Sequence, residues 1–214
     1  MKQKLPKLLL LLFLAYAMVR MWHWKIGFTF FTQLSNLYVG VLCLFELLTG
    51  RSIPRLKFTG AVSIAITFFV FLTVLGPVMP GGLPSAYAQD HYASLCLHLI
   101  IPAFALYDFM VNDYGKVHWG KKDLASSLLP PILYLVFILI LGKAGVRWAM
   151  GNMVAPYLFL NYEAPAGWFG FRPDTFGFST LGIGVAYCIL AFLLLFLLMG
   201  VFLLLLGKKM AKEP

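Results

Sequence analysis

The run CILAFLLLFLLMGVFLLLL, residues 188–206, holds nineteen residues without a charge. A helix rises about 1.5 Å per residue, so roughly 20 apolar residues cross the hydrocarbon core of a bilayer. The run therefore reads as a membrane-crossing helix. Extended back to about residue 179 it exceeds one bilayer thickness, which allows tilt or a cytoplasmic overhang.

Working outward, five more runs of comparable length lie between charges and turn residues. The six predicted spans cover about 8–22, 28–48, 58–78, 91–110, 124–141 and 179–206. Composition agrees: of 214 residues, 61% are hydrophobic and 12% charged, where a soluble domain holds about half and a quarter. A soluble domain, a disordered chain and a disulfide scaffold are excluded. A nucleic-acid partner is excluded too, because the net charge of +9 is spread between apolar runs and not gathered on a polar face. The fold class expected is all-α, an integral membrane bundle forming one domain over residues 1–214.

Basic residues orient the bundle, since cytoplasmic loops carry the excess of Lys and Arg. One side holds Lys2, Lys4, Lys7, Arg51, Arg55, Lys57, Lys116, Lys121, Lys122, Lys208, Lys209 and Lys212. The other holds Lys25, Lys143, Arg147 and Arg172. Both termini are expected in the cytoplasm. Lys2 to Lys7, the apolar Leu8 to Leu14 and Ala15-Tyr16-Ala17 also mimic a cleavable signal peptide. An uncleaved first helix preserves the alternating charge count and is the reading taken here. Cys43, Cys96 and Cys188 all fall within predicted helices and are expected to be buried and reduced.

The longest segment between spans, 142–178, lies on the outer side and is rich in Gly, Pro and aromatics. Tyr157 and Trp168 in it are either interfacial anchors or parts of a lid over an outward-facing pocket. Glycine and alanine at Gly182 and Ala186 are expected to permit close packing of the sixth span.

Polar side chains inside spans are costly and normally face the bundle interior, so candidate chemistry is sought among them. In the second span Thr29, Thr32, Gln33 and Asn36 share one helical face, with Ser35 at its border. In the fourth, His91, Ser94 and His98 make a similar stripe. Both helices start on the outer side, and Thr32 and His98 lie roughly 6 and 10 Å below that surface, close enough to meet. Pro102, four residues after His98, removes an N–H and is expected to kink the helix beside it.

A threonine hydroxyl becomes a nucleophile when a base takes its proton, and histidine is a suitable base at neutral pH. Gln33, Ser35, Asn36, His91 and Ser94 are candidates to orient the histidine or to stabilise an oxyanion. The same polar groups also serve simply to bridge helices. Glu46 and Asp108 share a depth near the cytoplasmic ends of the same two helices, where salt bridging with basic neighbours is expected. His23, His91 and His98 could gather near the outer surface, but with Asp90 as the one nearby carboxylate the ligand count argues against zinc. No metal and no cofactor is expected.

Four segments taken in order resemble the androgen-induced-gene family of six-helix membrane proteins and its bacterial relatives. They are Phe30-Phe31-Thr32-Gln33-Leu34-Ser35-Asn36-Leu37, Leu97-His98-Leu99-Ile100-Ile101-Pro102 running to Asp108, Pro131 to Tyr134, and Pro156-Tyr157-Leu158-Phe159. The resemblance spans about residues 28–161. It implies a threonine hydrolase that cleaves fatty acid esters of hydroxy fatty acids, with Thr32 as nucleophile and His98 as base, in the plasma (inner) membrane of a bacterium. Its partner would be a membrane lipid or acylated lipid. Animal members carry an acidic residue where this chain has Ser35 and a hydroxyl residue where it has Leu99, so the lipid ester cleaved, or the acyl acceptor, can differ. The alternative is a non-enzymatic carrier using Glu46, Asp108 and His98 in series, or a helix-bundle scaffold.

Overall fold

The structure, a computed structural model, describes residues 4–22, 26–148, 152–177 and 179–210. Among them the helices are α1 (Lys4–Arg20), α2 (Phe31–Thr49), α3 (Pro54–Val78), α4 (Gly82–Lys116), α5 (Lys121–Lys143) and α6 (Val185–Met210). The described residues form no β-strand, only isolated bridges. Helices α2 to α6 are each long and apolar enough to cross a membrane. α1, with 17 residues, is at the lower limit of a crossing length. The chain divides into two compact units, Met1–Ser127 with Leu197–Pro214, and Leu128–Phe196, the boundaries falling within α5 and α6.

In the first unit α2 and α3 form an antiparallel hairpin. Gly50 ends α2 at φ +70°, its N–H bonding to the Glu46 carbonyl at 2.8 Å. A residue with a Cβ resists that conformation, which is why helices so often stop on glycine. Pro54 then opens α3 at a position where a missing N–H costs nothing. α1 lays Leu10, Leu14 and Ala17 into a core shared with Val39 and Cys43 of α2, Ile64 of α3, and Leu97, Ile101 and Ala105 of α4. Gly40 of α2 faces Leu14, and a Cβ there would collide with that side chain.

Three π-helical turns interrupt α3 and α4, Phe71–Leu75, Cys96–Ile100 and Phe109–Asp113. The first two are each separated by one residue from a proline. Pro77 and Pro102 lack an N–H, and their rings press on the carbonyl four residues back. Widening the preceding turn relieves the clash: Gly76 N–H reaches the Phe71 carbonyl and Ile101 N–H the Cys96 carbonyl, five residues back. The expected kink at Pro102 is therefore a π turn, and it carries His98.

The fourth span differs from expectation at its start. α4 begins at Gly82 and is broken at Gln89–Tyr92, where Asp90, His91 and Tyr92 have φ of +50°, +56° and +68°. Left-handed geometry costs roughly 1–2 kcal/mol per residue outside glycine. The Tyr16 hydroxyl donates to the His91 carbonyl at 2.5 Å and fastens the strained segment to α1.

In the second unit the outer segment is a folded structure built on rings. Tyr157 stacks on Phe159, which stacks on Phe192 at 4.4 Å, and Tyr162 stacks on Trp168 at 5.4 Å. Trp148, Met153, Val154 and Ala155 form its buried centre. The segment extends to 184, beyond the expected 178, because backbone bonds from Arg172 N–H to Gly182 O and from Gly184 N–H to Gly170 O hold it. Gly182 thus lies ahead of α6 at φ +71°, not within a helix beside Ala186. It serves a turn and not helix packing.

Candidate functional site

Thr32 occupies the first turn of α2. The first bond of the α2 ladder runs from Leu34 N–H to the Phe30 carbonyl. The amides of Thr32 and Gln33 therefore precede the ladder, at the positive end of the helix dipole. The Thr32 hydroxyl lies 3.5 Å from His98 Nε2. Thr32 is held from behind, its carbonyl accepting from Ser35 Oγ at 3.0 Å and from Asn36 Nδ2 at 2.8 Å.

The opposite ring nitrogen of His98 fixes the tautomer. Nδ1 is 3.0 Å from the Ser94 carbonyl and 3.3 Å from Ser94 Oγ. A carbonyl only accepts, so Nδ1 carries the hydrogen and Nε2 presents a lone pair toward Thr32. The π turn and the Ser94 carbonyl set the ring's direction, and Phe71 sets its plane, stacking on it with centroids 3.8 Å apart and 16° between planes. Asn36, fully buried, ties the helices together by also donating from Nδ2 to the Leu97 carbonyl at 3.1 Å.

Thr32, Ser35, Asn36, Ser94 and His98 thus meet in one place. Other candidates do not join them. The Gln33 amide nitrogen points to Met21 Sδ at 3.7 Å, leaving its buried Oε1 without a partner among the described residues. His91 is exposed and its side chain leaves the expected stripe, because the left-handed break at 90–92 abolishes helical periodicity there. Thr29 leaves its stripe too, forming a separate turn, Gly27–Thr29, whose hydroxyl bonds to the Ile26 carbonyl at 2.6 Å. Tyr157 and Trp168 belong to the ring stacks of the second unit. His23 lies outside the described residues. Two participants were not singled out from sequence: Phe71, and Thr67, whose hydroxyl is 3.5 Å from Ser35 Oγ. Thr59, Ser63 and Thr67 recur every four residues on α3, and that stripe was a usable signal for Thr67.

About 21 Å along α2 from Thr32, Glu46 enters a buried charge network. Lys57 Nζ binds Glu46, Asp108 at 2.5 Å and Asp113 at 2.8 Å. Lys7 Nζ binds Asp108 at 2.6 Å and Glu46 at 3.4 Å. Lys116 and Ser52 complete the shell of Asp113, and Asn112 donates to Asp108. The carboxylates of Glu46, Asp108 and Asp113 are close enough to hold a cation together, and the Lys57 ammonium binds all three. The network fastens α1, α2, α3 and α4 to one another. The expected salt bridging of Glu46 and Asp108 is present, with Lys7 and Asp113 as additional members. The three cysteines are buried and unpaired, as expected.

Comparison with protein-family models, curated proteins and solved structures finds no match to this chain.

Proposed function

We propose that this chain is a six-span protein of a bacterial plasma membrane, both termini cytoplasmic, that cleaves a lipid ester through an acyl-threonine at Thr32. The observation that carries the reading is the Thr32 hydroxyl at His98 Nε2, with Nδ1 committed to the Ser94 carbonyl. Nucleophile, base and orienting acceptor stand in the order such chemistry requires. The separation of 3.5 Å is at the long end of hydrogen bonding, as is common before substrate closes a site. The resemblance in motif order to the androgen-induced-gene family supports the same two residues in the same two roles.

In the proposed reaction His98 Nε2 takes the hydroxyl proton as Thr32 Oγ1 attacks the ester carbonyl carbon. The oxyanion forms against the amides of Thr32 and Gln33, at the positive end of the helix dipole. His98 returns its proton to the departing alkoxide, leaving the acyl group on Thr32. Water then attacks the acyl carbon while His98 takes its proton, and the fatty acid leaves as Thr32 regains its hydrogen. No carboxylate is needed behind the histidine, because the Ser94 carbonyl fixes the tautomer. In the carrier alternative Glu46, Asp108 and His98 act in series. The network gives the two carboxylates a fastening role instead, each being bound to Lys7 and Lys57.

The test is release of fatty acid from a fatty acid ester of a hydroxy fatty acid by protein reconstituted in vesicles. Thr32→Ala and His98→Ala should each lower release by about a hundredfold or more. Equal release by wild type and both variants would contradict the proposal.

A further inference from the structure

The first arm of α4, residues 82–88, is a short helix set between two left-handed bends. Gly81 and Gly82, at φ +81° and +65°, precede it, and Asp90, His91 and Tyr92 follow it. Its two faces differ. Leu83, Ala86 and Tyr87 have the i, i+3 and i+4 spacing of one helix face. Leu83 meets Gly76 of α3 so closely that a Cβ on that glycine would collide with its side chain, and Tyr87 packs on Phe71 of α3 with ring centroids 5.2 Å apart. Ala86 between them is wholly buried. Pro84, Ser85, Ala88 and Gln89 are exposed.

Phe71 is also the ring that stacks on His98, so the arm is packed on the side chain that covers the base. Three successive left-handed residues, none of them glycine, persist only where surrounding contacts hold them. The contacts that hold them are those of Leu83 and Tyr87 and the bond from the Tyr16 hydroxyl to the His91 carbonyl. The local sequence favours a different state. From Ser85 to Ile101 there is neither glycine nor proline, so right-handed values at 89–92 would continue α4 as one helix and lift the arm from Phe71. A few residues at the end of an element that absorb a large change of φ and ψ are what a hinge requires. We propose that residues 82–88 are a lid over His98, hinged at Gly81–Gly82 and at Asp90–Tyr92 and latched by Tyr16, which opens to admit the lipid ester. The lid rests on the hydrolase reading for what it admits, and not for its motion.

The test is the rate at which a water-soluble maleimide modifies Ala86→Cys in the solubilised protein, located by peptide mass spectrometry. Ser85→Cys, on the exposed face of the same arm, is the reference. Modification at 86 should be roughly tenfold slower than at 85 or more, because position 86 is reached only through opening. Tyr16→Phe removes the latch hydroxyl alone and should raise the rate at 86 by about fivefold, the scale of one hydrogen bond. His91→Gly relieves a left-handed residue in the closed arm and disfavours the continuous helix, so it should lower that rate by about fivefold or more. Neither substitution should change the rate at 85. In the reconstituted protein His91→Gly should lower fatty acid release by a similar factor. A rate at 86 equal to that at 85, or indifferent to both substitutions, would overturn the lid. Full release by His91→Gly would overturn its control of the site. Absence of release by wild type would instead contradict the acyl-threonine at Thr32, and the modification rates would still decide the lid.

Discussion

At the scale of single residues, what makes His98 suitable as a base is the set of groups that leave it no other orientation. Phe71 stacks on its face and the Ser94 carbonyl takes its Nδ1 hydrogen. Phe71→Leu keeps apolar bulk but loses the ring contact, worth about 0.5–1.5 kcal/mol beyond area burial. It should lower kcat with KM little changed, which steady-state hydrolysis by the reconstituted protein would show. Asn36→Leu removes the donor that serves both the Thr32 and Leu97 carbonyls; Ser35 still serves the first, and loss of the bond to Leu97 should cost about 1–3 kcal/mol, lowering a thermal melt in detergent. Thr32 and His98 were legible in the sequence because depth in a helix follows from counting residues. Gln33 was not, because whether an amide turns toward Thr32 or toward Met21 depends on α1 packing, which helical periodicity does not encode.

At the scale of the element, prolines write the local geometry. The sequence placed a disturbance at Pro102 correctly, but a proline permits a kink, a break or a π turn, and packing decides among them. The parallel turn before Pro77, which presents Phe71 to His98, required both helices to be seen together. Pro102→Ala restores the N–H and lets the turn revert to α-helix, so the protein should melt higher yet hydrolyse less, as His98 rotates away from Thr32. A melt and an ester assay on the same preparation test this, and full activity in the variant would contradict it. The left-handed break at Asp90–Tyr92 was illegible, since none of its residues is a glycine. His91 was misplaced for that reason.

Across the whole molecule, apolar runs made the helical class legible, and charges between them gave an orientation to test. A reporter fused to the C-terminus should be active only in its cytoplasmic form, because Lys208 and Lys209 lie in the last turn of α6 and Lys212 follows it; an external C-terminus would contradict the proposed topology. The charge network was half legible: Glu46 and Asp108 share a depth by counting, but Lys7 and Asp113 join only once four helices assemble. Asp108→Asn leaves two buried ammonium groups short of a partner and should destabilise the bundle by about 3–5 kcal/mol. Asp174→Asn, breaking an exposed pair with Arg172, should barely move the melt. The central claim remains that Thr32 is a nucleophile activated by His98. It is tested most directly by treating the solubilised protein with a fluorophosphonate probe and locating the adduct by peptide mass spectrometry. The account predicts an adduct on Thr32 that is absent from both Thr32→Ala and His98→Ala. No adduct on folded wild type, or an adduct on Thr32 that survives His98→Ala, would contradict it.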